Sequence, residues 1–413
     1  MEVVSMSSSA QLHPSNTGVQ AQLSNTILLL YAVLCGAAVA TVYYAQPLLD
    51  AIALEFNISS TIIGTVVTVT QLCYALGLFF VVPLGDVLDP RRLVTGMLVT
   101  IALALIFVAL APNAWFLFIG MGIVGSQAVV AQVLVALAAH QSSLQHRGRA
   151  IGVVTSGIVI GILLGRAFSG TLADLAGWRS VYAITAVIMI CMTVLFRAAT
   201  PATPRPASLG SYLDMLRSMK ELFVQVPLLR IRGLLAFLLF LDFSILWSSM
   251  VLPMSSPPLS FNHTVIGWFG LAGVAGALAA RSAGRLADRG FGQLTTGIAL
   301  VLLAASWLPI AFLQSSRWLF ILGIIMLDLA VQAVHVTNQS MLLSVRPEAR
   351  SRLTAGYMIF YSFGSATGAI LSTWMYSWAG WYGVCILGVL VSIIALLYWI
   401  FTMNVYTHAS SKG

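Results

Sequence analysis

Charge is scarce in this chain. Only 8% of its 413 residues are Asp, Glu, Lys or Arg, against roughly a quarter in an ordinary soluble domain. Apolar residues make up 59%, more than a single water-soluble core can hide, so the solvent for much of the surface has to be lipid. Acidic residues number 12 against 20 Lys and Arg. The resulting +8 does not describe a nucleic-acid binder, because the basic residues sit between apolar runs, where they orient a membrane protein. The four cysteines, Cys35, Cys73, Cys191 and Cys385, are far apart and lie singly in apolar runs. That spacing excludes a zinc motif or a disulfide framework and leaves packing as their role. No GxxxxGK[ST] phosphate loop, HExxH, GxSxG or cluster of histidines occurs. No metal, cofactor or catalytic residue is therefore expected, and the chain is not read as an enzyme. Residues 1–25 contain no Lys or Arg, so they lack the basic start of a signal peptide and read as a disordered cytoplasmic tail.

What the chain does have is long apolar runs. A bilayer core of roughly 30 Å needs about 20 apolar residues per helix. Runs of that kind fall at 26–46, 61–83, 93–111, 114–138, 150–172 and 179–197, and again at 231–253, 265–283, 294–314, 318–344, 353–376 and 382–403. The fold class predicted is therefore all-α, with twelve transmembrane helices in two six-helix bundles, 26–200 and 231–403. A linker, 201–230, joins them, and 404–413 forms a second tail. Within the linker, PATPRPAS cannot be helical throughout. In SYLDMLRSMKELFVQV, Leu213, Leu216, Met219 and Phe223 share a face, which predicts an amphipathic helix on the membrane surface. Of the 20 Lys and Arg, all but Arg166, Arg179 and Arg317 fall on the side of the tails and the linker. By the positive-inside rule both termini are cytoplasmic, in the inner or plasma membrane.

The two halves repeat. HRGRAIGVVTSGIVIGILLGRAFSGTLADLAGWR lies without a gap on ARSRLTAGYMIFYSFGSATGAILSTWMYSWAGWY, so that Arg147 meets Arg350, Gly161 meets Gly364, Gly165 meets Gly368 and Trp178 meets Trp381. GDVLD, from Gly85 to Asp89, is echoed by GRLAD, from Gly284 to Asp288. Two similar halves side by side place a substrate site at their interface, near the bilayer midplane.

These motifs resemble those of the major facilitator superfamily, over essentially the whole chain after the tail. GRLADRGFG at 284–292 is close to the family's loop signature. GDVLDPRRL at 85–93 keeps Gly85, Asp89, Arg91 and Arg92 but has Pro90 where Arg is usual. The resemblance implies a conformational latch made by these residues and by Gly284, Asp288 and Arg289, with the carboxylate at a helix N-terminus, where it gains roughly 0.3–1 kcal/mol. Without the resemblance, the same residues read as a tight turn with ordinary inside charges. In span 5, Gly152, Gly161, Gly165 and Gly170 are similar to a pattern seen in family members that export drugs by proton exchange, with Arg166 standing where they have proline. Gly157, Gly161 and Gly165, with Gly364 and Gly368 in the second half, also allow close helix packing, and Gly273 and Gly276 of span 8 are the partner surface expected for span 5. YYAQPLL and TQLCYALGLFFVVPLGD are similar to a bacterial efflux-permease subgroup.

Four ionisable residues remain inside the spans: Asp242, Asp328, His335 and Arg166. A charge at the bilayer centre costs at least ~2.5–3.5 kcal/mol unless it meets water or a partner. Asp242 and Asp328 each lie about ten residues into a span, near the midplane, and the resemblance puts their helices on the central cavity. Asp328, Gln332, His335 and Gln339 form one polar stripe on span 10, with Asn338 off it. Asp242 and Asp328 are the expected proton carriers, with His335 as helper. Expected around a substrate are Gln332, Gln339, Gln71, Gln132, Arg166, Tyr43, Tyr74, Trp247 and Tyr361. Arg166 could instead snorkel outward or pair with a carboxylate. Interhelical hydrogen bonding or interfacial anchoring are the plainer roles for the glutamines and aromatics. The reading is a secondary transporter with the bilayer, a small molecule and protons as partners, acting as a monomer by proton-coupled efflux of small amphipathic compounds, sugars or metabolites. Proton-driven uptake is the alternative, ahead of a membrane-embedded enzyme.

Overall fold

The structure, a computed structural model, describes residues 24–143, 145–200, 212–343, 345 and 349–407. The expected N-terminal tail up to residue 23, the proline-rich stretch 201–208 and residues 408–413 lie outside them. Ten helices among the described residues are long and apolar enough to cross a membrane. They resolve into twelve crossings for two local reasons. The last, Arg350–Met403, is two spans joined at Gly380, whose φ of 63° turns the chain where an L-residue would be strained. Span 8 is assembled from His263–Trp268, a 3-10 turn Phe269–Gly273 and Val274–Leu286. Span 1 also runs further than its apolar stretch, continuing through a 3-10 turn at Gln46–Leu48 to Phe56. Pro47 lacks the N–H that an uninterrupted helix would use there.

The two bundles are built alike. A side chain on Gly161 would strike the Gly36 carbonyl oxygen at 2.2 Å, and one on Gly157 would strike that of Ala32 at 2.0 Å. Span 5 thus lies backbone to backbone on span 1. In the second half, Gly364 and Gly368 press in the same way on the carbonyls of Phe237 and Leu241 in span 7. Span 8, the expected partner of span 5, does meet it, but at Gly267 and Gly270, which lie on Arg166, and at Gly273, which touches both Leu163 of span 5 and Asp328 of span 10. Gly276 faces Asp328 and Gln332 of span 10 alone, and Gly157 and Gly161 pack on span 1.

The halves meet at the end remote from the linker, called here the distal end. Thr68 Oγ1 donates to the Ala366 carbonyl at 2.7 Å, Thr61 Oγ1 donates to Ser377 Oγ at 3.1 Å, and Gly64 lies against the Ala369 carbonyl. Gly170 at the end of span 5 lies against the His263 carbonyl at the start of span 8. The linker helix, Tyr212–Gln225, bridges the halves at the other end. Tyr212 Oη donates to the Phe80 carbonyl of the first half at 2.7 Å, while Leu222 and Phe223 pack with Leu229, Leu353 and Tyr357 of the second. Of the apolar face expected, Met219 is buried, Leu216 and Phe223 are partly buried and Leu213 is exposed, with Leu222 buried beside them.

Candidate substrate and proton site

Arg166 sits where span 5 crosses the first turns of span 8. Glycine makes this crossing possible: a side chain at Gly267 would meet the Arg166 carbonyl at 2.3 Å, and one at Gly270 would meet its Cβ at 3.1 Å. The guanidinium does not snorkel, since the residue is 2% exposed. Its Nε donates to Gln46 Oε1 at 2.8 Å, and its Cζ lies 3.8 Å from the centre of the Trp247 ring. The Tyr43 and Phe243 rings stand 5.2 and 5.5 Å away. A desolvated cation over an indole face gains about 2 kcal/mol or more, which offsets part of the cost of burying it.

Trp247 carries the chain of contacts onward. Its Nε1 donates to Asp328 Oδ1 at 3.2 Å, and Asp328 Oδ2 occupies the space a side chain on Gly273 would need. Arg166 and Asp328 also attract each other through space. A cation from the first half and a carboxylate from the second thus stand on either side of one indole. Beside them, the Tyr43 and Tyr361 hydroxyls share a hydrogen bond across the same interface, and the Tyr361 ring packs against that of Phe240 at a tilt of 58°.

The other expected residues are distributed more widely. His335 was expected to help Asp328. It hydrogen bonds instead with the Tyr357 hydroxyl at 3.1 Å and with Gln339 at 3.2 Å. A shared helix face does not mean contact, because seven residues of helix separate two side chains by about 10 Å along the axis. Gln332 packs on Gly276. Asp242 is fully buried but does not face the partner half: Trp307 Nε1 donates to it at 3.1 Å and Ser392 Oγ at 2.5 Å, from spans 9 and 12 of its own bundle. Gln71 is buried with no partner for its Oε1, and Gln132 lies by the Tyr74 hydroxyl. Asn338, off the stripe, accepts from Arg232 Nη1 at 3.1 Å. Arg232 is thereby a buried residue of span 7, 1% exposed, rather than part of the basic loop side.

At the two loops, Asp89 caps span 3, accepting from the Arg91 N–H at 2.9 Å with Arg92 Nε at 3.6 Å. Arg91 donates to the Arg197 carbonyl at the end of span 6. Pro90 takes the first helical position, where its missing N–H costs nothing. Gly85 lies in the 3-10 turn just before this cap. In the second half, Gly284 lies against Val336, and Asp288 and Arg289 belong to a tight segment turned by Gly290 at φ 88°.

Three residues that the sequence reading passed over form a clasp at the distal end. His263 Nδ1 lies 3.0 Å from Asp174 Oδ1, and Nε2 lies 3.1 Å from Asp50 Oδ1. Asp174 also accepts from the N–H groups of His263 and Thr264. The hydrogen bond and charge of Asp50 push the His263 imidazole up to about 9, against a smaller opposing effect of burial. All three belong to loops or span ends, where a charged residue raises no alarm in a search for charge in apolar runs. Gln46 was missed because it is uncharged and closes the apolar stretch of span 1.

This architecture is that of a secondary transporter, and the chain belongs to the major facilitator superfamily: the family profile matches residues 28–241 and 232–412. It is a multi-pass membrane transporter for small molecules rather than an enzyme. Over 378 residues it is 43% identical to the "Uncharacterized transporter YgaY" of Escherichia coli O157:H7, covering 92% of this chain and 96% of that one. It is 23% identical to the "Probable sugar efflux transporter" of Helicobacter pylori strain P12, covering 81% and 84%. Among solved structures, a bacterial homologue of the human lysosomal transporter Spinster, inward-facing and unoccupied, superposes with a TM-score of 0.74 at 15% identity, covering 93% of this chain and 97% of that one. The human organic anion transporter MFSD10 superposes with a TM-score of 0.64 at 18% identity, covering 91% and 98%.

Proposed function

We propose that the protein is a proton-coupled exporter of small amphipathic compounds, sugars or metabolites, working by alternating access in the inner or plasma membrane with both termini in the cytoplasm. The observation that carries the coupling is the Arg166–Trp247–Asp328 arrangement, in which the carboxylate is tied by one indole to a cation on the opposite half. When Asp328 takes a proton, its attraction for Arg166 vanishes and the balance between the two halves shifts. Asp242 has hydrogen-bond partners from its own bundle, so Asp328 is the proton carrier in this reading and Asp242 a bundle-packing group. In this reading the basic residues on the linker side make that side cytoplasmic, so the distal end, closed here, faces away from the cytoplasm. Export is favoured by the sugar efflux relatives; a carrier that used the gradient for uptake would share every feature of the site.

Sensitivity of a deletion strain to a panel of compounds identifies a substrate and the direction. In proteoliposomes with a pH gradient, the wild type and Asp242→Asn are then expected to accumulate it, while Asp328→Asn only equilibrates it. Accumulation by Asp328→Asn against its gradient would overturn the assignment.

A further inference from the structure

We infer that Arg166 forms the binding site for the anionic head of the substrate, and that the transported compounds are small amphipathic acids, a carboxylate or similar oxyanion on an apolar body. This deepens the proposed transport function by naming the substrate class. A guanidinium presents five N–H donors in a rigid fork matched to an oxyanion. Burying one is costly unless its donors are used. Here one neutral amide oxygen, Gln46 Oε1, engages Nε, and Nη2 is buried with no hydrogen-bond partner. Asp328 makes no hydrogen bond or ion pair with the guanidinium: its Oδ1 accepts from the indole N–H of Trp247 and its Oδ2 lies against Gly273. Arg166 also lines a small void, with room for about one water molecule in this state, whose other walls are Gln46, Pro47, Trp247, Met250 and Ile266. That lining contains no acidic group and is mostly apolar, so it offers nothing to a cation, and the body of an acid enters it only as the halves move apart.

Position strengthens the assignment. The void lies between Arg166 and Gln46 of the first half and Trp247, Met250 and Ile266 of the second, so an anion seated there would touch both halves and be exposed to one side or the other as they rock. A purely structural arginine at this crossing would be expected to have its donors satisfied by carbonyls or carboxylates of the protein.

Binding is measured on the purified full-length protein in nanodiscs by isothermal titration with acetate, benzoate and phenylacetate, with benzamide and benzylamine as neutral and cationic matches in size. At least one of the acids is expected to bind saturably, roughly tenfold or more tighter than the neutral and cationic probes, as befits a charge-assisted fork. Arg166→Gln should lose that preference, and Arg166→Lys, which keeps the charge but not the fork, should weaken it. Thermal melting of the variants establishes that they are folded, and Cys191→Ser, at an exposed cysteine outside the site, should retain the preference for acids. Absence of saturable binding by all three acids, equal binding by wild type and folded Arg166→Gln, or no preference for acid over amide would each overturn the site. Gradient-driven accumulation is read separately with Asp328→Asn, so loss of the anion site and loss of the coupling proposal give different results.

Discussion

At the scale of single residues, the site depends on close approach as much as on polar groups. Asp328 Oδ2 lies 2.7 Å and Leu163 Cδ2 2.7 Å from where a Gly273 side chain would begin. One methyl group there displaces the carboxylate from the Trp247 N–H. Gly273→Ala is therefore expected to slow transport strongly, with about 1–3 kcal/mol of overpacking cost in stability. A transport assay beside a melting curve checks this, and normal transport would show that Asp328 does not need its place. The polar stripe on span 10 was legible from spacing alone, because helical periodicity is encoded locally. The partners of its members were not. Whether Asp328 meets His335 or Trp247 is decided by depth along the axis and by a neighbouring helix, neither of which is contained in a helical-wheel angle.

At the scale of elements, span 5 and span 1 are held by glycine contacts too close for side-chain adjustment. The Gly36 carbonyl 2.2 Å from a nascent Gly161 side chain is backbone. Gly161→Val is expected to separate the helices and destabilise the bundle by several kcal/mol, visible as loss of monodisperse protein. Retention of a wild-type melting temperature would contradict the packing. The glycine repeat itself was visible in sequence, and span 8 does meet span 5, at Gly267 and Gly270. What spacing did not show is that span 1 takes Gly157 and Gly161, or that span 8, kinked through Phe269–Gly273, turns Gly276 toward Asp328 and Gln332.

The clasp of His263 with Asp50 and Asp174 is an element-scale device as well, since it ties the start of span 8 to spans 1 and 5. In the closed distal state the imidazole titrates at about 9; once the clasp opens it returns toward the ordinary value near 6.5. The charged clasp therefore stabilises the closed state fully below about pH 6.5. This contribution is lost as pH rises through about 9. Distal opening, followed by labelling of a cysteine placed at Thr61, is expected to increase between pH 6 and pH 9.5, and His263→Gln should flatten that dependence. An unchanged profile in His263→Gln would remove the clasp from the gate.

For the whole molecule, the repeat of two halves, the membrane class and the family were legible because they are written in long-range composition and in motifs that recur at matching places. The interface between the halves was not. Residues that face each other across it, such as Arg166 with Trp247 or Thr61 with Ser377, come from separate stretches with no shared pattern, and their meeting belongs to one conformation of the pair. The central claim is that the halves rock about the Arg166–Trp247–Asp328 bridge. Spin labels at Thr61 and Ser377, whose hydroxyls are 3.1 Å apart in the closed distal end, and a second pair at Val82 and Ser351 at the linker end, report that motion directly. Between conditions that drive transport and resting conditions, the distal distance is predicted to lengthen as the linker-end distance shortens, and Asp328→Asn is predicted to hold one state regardless of pH. Fixed distances at both ends during sustained transport would contradict the account.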